Sequence, residues 1–178
     1  MGKRSSFGRI PRDFYPTPYE AVWPLLPHLG SFVTFCEPCV GDGRLVGYLE
    51  RAGHKCVCAF DIDPKFDGAY CMDATINHSD GEPDFYITNP PWERETLHAI
   101  IQNLSRHRPT WLLFDADWVH TRQAARFVPW LKAIVSVGRV KWIPDSKMTG
   151  KDNCAWHLFD QSADAALEFP AMFYGRAA

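Results

Sequence analysis

Short, nearly continuous apolar runs alternate with helical segments along most of this chain of 178 residues. Such runs are typical of parallel strands buried on both faces, with helices forming the crossover connections. We therefore predict an α/β fold with a mostly parallel, doubly wound sheet. The predicted strands are residues 33–37, 55–63, 69–72, 84–88, 110–115, 132–142 and 154–160. The predicted helices are residues 19–29, 44–52, 93–104 and 120–127. A hairpin around residues 145–153 would make the last strand antiparallel.

The composition predicts one globular domain over residues 13–178, preceded by a flexible basic arm at residues 1–12. Hydrophobic residues make up 46% of the chain and charged residues 22%, as in soluble globular proteins. The net charge of −2 provides no global attraction for nucleic acid, so such binding would need a local basic patch. No run approaches the ~20 apolar residues of a membrane span, and no signal peptide is visible. We expect a cytoplasmic protein with no membrane partner, a monomer or weak dimer.

Six cysteines lie mostly inside apolar runs, where a free thiol packs as a small hydrophobe. Cys36 and Cys39 have the spacing of a zinc or redox pair, but no second such pair completes a site. We therefore predict no metal.

The sequence Asn89-Pro90-Pro91-Trp92 follows the predicted strand 84–88. The prolines end this strand because they lack an N–H donor, and they stiffen the turn. Asn89 then provides a rigid polar acceptor beside the flat ring of Trp92 at the strand's carboxyl edge. This pair suits the capture of a planar amine such as adenine.

The first strand ends in Glu37 and Pro38, and Gly41 and Gly43 precede a helix. Glycines at such a turn let the backbone approach a ligand closely, although a simple tight connection has the same pattern. The Gly-x-Gly-x-x-Gly fingerprint is incomplete because Val46 occupies its third position. That substitution argues against a nicotinamide cofactor.

The second strand ends in Asp61 and Ile62, about 20 residues after the glycine turn, where an acid can accept hydrogen bonds from a ribose. Ile62 would pack on an adenine face. Asp61 could instead cap the turn before Pro64. Asp73 follows the third strand and would accept from an exocyclic amine, or serve as an ordinary turn residue.

Four segments occur in an order that resembles a known family: DFYPTP at 13–18, EPCVGDG at 37–43, DID at 61–63 and NPPW at 89–92. This order is similar to the class I S-adenosylmethionine-dependent N6-adenine DNA methyltransferases, with the compact phage-type members as the nearest likeness. The resemblance covers residues 13–160. It implies a Rossmann-like, seven-stranded sheet with an antiparallel last strand and helices on both faces.

The resemblance also implies roles for individual residues. Thr17 and Pro18 would contact the methionine end of S-adenosylmethionine, in a pocket that Glu37, Pro38, Gly41 and Gly43 would also line. Asp61 would hold the ribose, Ile62 would pack on the adenine and Asp73 would meet its amine. The catalytic turn would be Asn89, Pro90, Pro91 and Trp92.

Positive charge around the last loop suggests a substrate face, which would bind phosphates through Arg139, Lys141, Lys147 and Lys151. An ordinary solvated loop is equally compatible with this charge. Trp156 is a further candidate for the base pocket, although core packing is the commoner role at such a position. No separate target-recognition domain is expected.

The leading hypothesis is methyl transfer from S-adenosylmethionine to adenine N6 in DNA. RNA adenine or protein glutamine methylation is the closest alternative, because similar Asn-Pro-Pro-aromatic turns serve those reactions. A non-catalytic nucleic-acid-binding relative is a second alternative. The incomplete glycine fingerprint argues against a nucleotide-dependent oxidoreductase.

Overall fold

The computed structural model describes residues 15–79, 81–143, 150–162 and 172–175. Within these ranges, eight strands form one sheet in the order β3-β2-β1-β4-β5-β7-β6-β8. The strands are β1 (Thr34–Glu37), β2 (Lys55–Asp61), β3 (Tyr70–Cys71), β4 (Phe85–Thr88), β5 (Thr110–Asp115), β6 (Leu131–Gly138), β7 (Cys154–Phe159) and β8 (Met172–Tyr174). The α-helices are α1 (Tyr19–Val22), α2 (Arg44–Arg51) and α3 (Arg94–Leu104). The predicted basic arm, residues 1–12, lies outside the described residues.

The sheet is mostly parallel, as the sequence predicts. Strands β3, β2, β1, β4 and β5 run parallel to one another, and β7 is antiparallel to both β5 and β6. The predicted antiparallel last strand, residues 154–160, is therefore confirmed as β7. An eighth strand, which was not predicted, pairs parallel with β6 at the edge of the sheet.

Alternate side chains of the strands enter two cores, one on each face of the sheet. The first core contains Phe35, Ile87 and Trp156 and packs against α1 and α2. The second core contains Phe114 and Phe159 and packs against α3 and the 3-10 helices that follow β5. Both faces are thus covered, which explains why the strands read as nearly continuous apolar runs.

Two predicted helices are shorter than expected. The 19–29 segment forms only α1 and a 3-10 helix, Leu26–His28. Pro24 has no N–H to continue an α-helix, so α1 stops before it. The expected 120–127 helix is replaced by 3-10 helices Ala116–His120 and Arg122–Arg126, because Thr121 between them has an extended backbone.

None of the helices in the described ranges is long and apolar enough to cross a membrane.

Candidate active site

A cleft of about 660 Å³ opens at the carboxyl ends of β1, β2 and β4. Because β1 lies between β2 and β4, the crossovers leave in opposite directions there, which creates the crevice where doubly wound sheets bind ligands. The volume lies within the ~300–1,000 Å³ typical of small-molecule sites. Nine of the predicted site residues line the cleft: Thr17, Glu37, Pro38, Gly41, Asp61, Ile62, Asp73, Asn89 and Pro91.

The glycine turn after β1 is tied to the turn after β2. Gly41 has a φ of 52°, and its N–H donates to Asp61 Oδ2 at 2.9 Å. Gly43 has a φ of 78°, and a Cβ added there would lie 2.1 Å from the ring of Phe66. Gly41 therefore borders the cleft, whereas Gly43 allows an aromatic ring to pack against the turn.

Glu37 is the most unusual polar residue of the cleft. It is 2% exposed at the end of β1, and its Oε2 has no hydrogen-bond partner. Burial raises its pKa well above the usual range. The carboxylates of Asp61 and Asp42 act in the same direction, against a hydrogen bond from the Val46 backbone. A buried carboxyl with an unpartnered oxygen is costly in isolation, so a donor from a bound ligand would relieve this cost.

Asp61 braces its own turn while it borders the cleft. Its Oδ1 accepts from the N–H of Asp63 at 2.8 Å, and its Oδ2 accepts from Gly41. The turn-capping alternative is thus observed, and each carboxylate oxygen still keeps a lone pair for a ligand. The adjacent Ile62 is 58% exposed on the cleft wall.

Asp73 lies two residues beyond β3 and also fixes a turn. Its Oδ1 accepts from the N–H of Thr75 at 2.8 Å and from the Thr75 hydroxyl at 2.7 Å. Its own N–H donates to Asn77 Oδ1 at 3.1 Å. Since these bonds use only Oδ1 of the carboxylate, Oδ2 is left for a donor in the cleft.

Asn89 is held in one orientation by two contacts. Its Nδ2 donates to the carbonyl of Tyr15 at 3.2 Å, and its Oδ1 accepts from Trp92 Nε1 at 3.3 Å. These partners fix which side of the amide is the acceptor. Asn89 and Pro91 line the cleft, whereas Pro90 is buried.

Trp92 links the same turn to the neighbouring strand. Its indole N–H also donates to the carbonyl of Leu113 in β5 at 3.1 Å. Its ring lies perpendicular to that of Trp142, with 5.5 Å between the centroids and an angle of 88° between the planes. Trp92 is half-buried and does not line the cleft itself, so it lies on the side of the Asn89–Trp92 turn that faces β5 and Trp142.

Of the two residues predicted to contact the methionine end of the cofactor, one lines the cleft and the other does not. Thr17 is 6% exposed and lines the cleft. Pro18 occupies the N-cap position of α1 and is not part of the lining.

The predicted substrate residues are spread around the last loop. Arg139 and Lys151 are exposed and Lys141 is half-buried, whereas Lys147 lies outside the described residues. The N–H of Gly150 donates to the carbonyl of Val140 at 2.9 Å, which brings the two ends of this loop together.

The suggested substrate role of Trp156 is wrong. Trp156 is fully buried in β7, and its indole N–H donates to the carbonyl of Ala21 at 2.7 Å. It therefore joins the sheet to α1 and cannot touch a substrate.

Charge in the cleft is predominantly negative. Six carboxyl groups line it, against the two basic side chains of Arg44 and Lys65. Arg44 is paired with Asp42 at 3.0 Å. This field favours a cationic ligand and disfavours phosphates.

Some cleft residues were not identified from the sequence. Thr96 and Ile100 are one turn apart on α3, a spacing that places them on one face, and Glu93 caps the same helix. This spacing could have identified them. The carbonyl of Tyr15 left no sequence signal, because any residue provides one.

No three His, Cys, Asp or Glu residues in the described ranges are grouped so as to hold a metal ion. The six cysteines are free thiols. Cys36 is buried in the second core, whereas Cys39 borders the cleft.

No protein-family model matches the chain, and no curated protein matches it by sequence. Solved structures do match. A Pyrococcus horikoshii protein assigned as an RNA methyltransferase has a TM-score of 0.61 at 17% identity, over 89% of this chain and 91% of that one. A dimethyladenosine transferase from Plasmodium falciparum has a TM-score of 0.56 at 14% identity, over 87% of this chain and 65% of that one.

The M protein of the type I restriction enzyme EcoKI has a TM-score of 0.60 at 11% identity, over 90% of this chain and 48% of that one. At such identities the likeness concerns the fold. The chain has the Rossmann-like fold of class I methyltransferases, with its cleft at the switch point of the sheet.

Proposed function

We propose that this chain transfers a methyl group from S-adenosylmethionine to the exocyclic N6 amine of adenine in DNA. One observation carries the proposal: a buried, unpartnered carboxyl oxygen on Glu37 and an oriented amide on Asn89 line the same cleft. The first suits a cationic cofactor, and the second suits a planar amine.

The cleft fits S-adenosylmethionine in three respects. Oε2 of Glu37 would accept from the cofactor's ammonium group, which would offset the cost of its burial. The excess of carboxyl groups favours a ligand with ammonium and sulfonium charges over one with phosphates. Ile62 would pack on the cofactor's adenine, and Asp61 and Asp73 would accept from the ribose and the amine.

The bound cofactor supplies an electrophilic methyl carbon on its sulfonium. The adenine amine is a weak nucleophile because its lone pair is delocalised into the ring. Asn89 Oδ1 and the carbonyl of Pro90 would accept hydrogen bonds from its two N–H groups and draw the nitrogen toward a tetrahedral form. Acceleration would then come from positioning and electrostatics, without a covalent enzyme intermediate.

The fixed amide of Asn89 is important for this step. Because Nδ2 donates to Tyr15 and the Trp92 indole donates to Oδ1, the acceptor does not have to reorient when the amine arrives. Trp92 would stack on a target base that has left the nucleic-acid duplex, with the ring of Trp142 perpendicular to its own.

Basic residues near Trp142 support a nucleic acid as the substrate polymer. Arg139, Lys141 and Lys151 flank the loop next to Trp142 and would hold phosphates near the catalytic turn. Lys147 lies between Lys141 and Lys151 in the sequence. RNA adenine is the nearest alternative, since a similar fold occurs in a protein assigned as an RNA methyltransferase as well as in the M protein of a type I restriction enzyme.

The test incubates the protein with labelled S-adenosylmethionine and unmethylated DNA, RNA or protein extract. We expect label in DNA, recovered as N6-methyladenine after nuclease digestion. Label in RNA or in protein glutamine would show that DNA is not the substrate. Label in none of the polymers would contradict methyl transfer altogether.

Two substitutions at one position separate chemistry from binding. Asn89→Ala removes the acceptor and should reduce methyl transfer by at least ~100-fold, as for loss of one preorganised hydrogen-bonding group, while cofactor affinity changes little. Asn89→Asp keeps an acceptor oxygen and should retain measurable activity. Equal loss of transfer and cofactor binding in Asn89→Ala would argue against the proposed role.

A further inference from the structure

A second groove, of about 640 Å³, lies between α3 and the 3-10 helix Arg122–Arg126. We call it the arginine groove, after Arg94, Arg122 and Arg126, which line it together with His98. Arg94 opens α3 and follows Trp92 by two residues. His98 lies one helical turn further on, ~6 Å along the axis, so the groove starts beside the proposed catalytic turn.

The charge of the groove is predominantly positive. All three arginines are exposed, and Glu95 is the one carboxylate among the described residues of the lining. In the described part of the chain, none of these arginines forms an ion pair. Arg126 instead lies over the ring of Phe127, at 4.6 Å from its centroid. The cleft, by contrast, carries an excess of carboxyl groups.

Two hydrogen-bond donors approach the ring of His98, which in its neutral form can accept from only one. It is 6% exposed, and Trp118 Nε1 donates to its Nε2 at 3.1 Å. Arg126 Nη2 lies 3.3 Å from its Nδ1. A neutral imidazole has a single acceptor nitrogen, so it can satisfy only one of these two donors.

The acceptor nitrogen pairs with the buried indole of Trp118 rather than with Arg126. A buried donor without a partner is costly, whereas the exposed Arg126 can donate to water. Nδ1 then carries the proton and faces the guanidinium. Burial, followed by the charges of Arg126 and Arg94, lowers the pKa of His98, so the ring stays neutral at pH 7. The Nδ1–H of His98 and the guanidinium of Arg126 are therefore two neighbouring donors, and an anionic oxygen could accept from both.

We infer that the arginine groove binds a phosphate of the nucleic-acid strand whose adenine enters the cleft. Guanidinium groups match phosphate oxygens geometrically, and Arg94 and Arg122 line the same groove as this donor pair. The inference rests on the proposed function, because a strand held beside Arg94 lies next to the catalytic turn. It adds a phosphate contact on the α3 side, opposite the one proposed for the last loop.

Binding of a labelled single-stranded DNA oligonucleotide, measured by fluorescence anisotropy over a range of salt, tests the inference. Arg122→Gln and Arg126→Gln should each weaken binding by about tenfold, as for loss of a charged hydrogen bond. Each should also reduce the slope of log K against log salt by ~0.7, the value for one phosphate contact on a single strand. Arg106→Gln, an exposed arginine at the other end of α3, is the matched control and should bind like the unmodified protein.

Other measurements identify the source of the phosphate and separate the two proposals. Inorganic phosphate and a mononucleotide should bind far more weakly than the oligonucleotide, and affinity for S-adenosylmethionine should be the same in all variants. Unchanged affinity and salt slope in both groove variants, or equal binding of inorganic phosphate, would overturn the inference. The proposed reaction is tested separately by Asn89→Ala, which should still bind the oligonucleotide and lose only methyl transfer.

Discussion

Replacement of Gly43 by alanine should destabilise the protein through two separable effects. The backbone of Gly43 is left-handed, with a φ of 78°, and an L-residue there costs ~1–2 kcal/mol. The added Cβ would also lie 2.1 Å from Cδ2 and 2.8 Å from Cγ of Phe66. Because Cγ is close to the main chain, the ring cannot swing away freely. Overpacking of this kind adds ~1–3 kcal/mol, for a total of ~2–5 kcal/mol.

Gly30→Ala is a matched control for the backbone effect. Gly30 has a similar φ of 76°, and a Cβ there would meet no atom within 4 Å. The two variants gain the same small stabilisation from a stiffer unfolded chain. The difference between Gly43→Ala and Gly30→Ala in free energy of unfolding therefore isolates the clash with Phe66.

Urea denaturation at pH 7 measures both variants, with the midpoint and slope compared. A double-mutant cycle adds Phe66→Leu, which should cost less in the Gly43→Ala background than in the unmodified protein. Equal destabilisation by Gly43→Ala and Gly30→Ala, or no coupling to Phe66, would refute the packing explanation of this glycine.

Three further changes are predicted. Glu37→Gln should weaken S-adenosylmethionine binding by ~10–100-fold in calorimetry, because it removes a charged acceptor. An unchanged affinity would contradict the ammonium contact. The stability of Glu37→Gln relative to the unmodified protein should also rise as the pH increases above 4.5, because the raised pKa of Glu37 makes its ionisation costly only in the folded state. His157 is fully buried, and this burial lowers its pKa to about 3. Its contribution to stability is therefore intact above pH 6.5 and falls by ~1.4 kcal/mol per pH unit below it, so that between pH 7 and 4.5 the unmodified protein should lose ~2–3 kcal/mol more than His157→Phe in urea denaturation. Glu93→Ala should destabilise by ~1 kcal/mol, because Glu93 Oε2 accepts from the N–H of Thr96 at 2.9 Å at the start of α3; the exposed Glu95→Ala is the control and should change stability by less than ~0.5 kcal/mol.

Local pattern was sufficient for most of the sheet. Strand 84–88 was predicted one residue longer than β4, and helix 44–52 one residue longer than α2. Both have strong local signals: an apolar run closed by two prolines, and an amphipathic segment that follows glycines. By contrast, β8 has only three exposed residues and forms by pairing with β6, so its sequence carries no comparable signal.

Tertiary contacts decided the roles that local pattern left open. Asp61 braces the glycine turn, and Trp156 is a core residue bonded to α1. The sequence offered both alternatives for each residue. Only the position of a partner far along the chain distinguishes a ligand contact from a structural one.

The sequence by itself determined that polar groups would gather at the carboxyl edge of a parallel sheet. The alternation of strands with helices predicts parallel strands, and the residues that follow them then lie at that edge. It could not determine that the Asn89 amide is fixed by Tyr15, or that Trp118 and Arg126 both face His98. Hydrogen bonds between groups distant in the chain depend on how the elements pack, and packing exists only in the folded molecule.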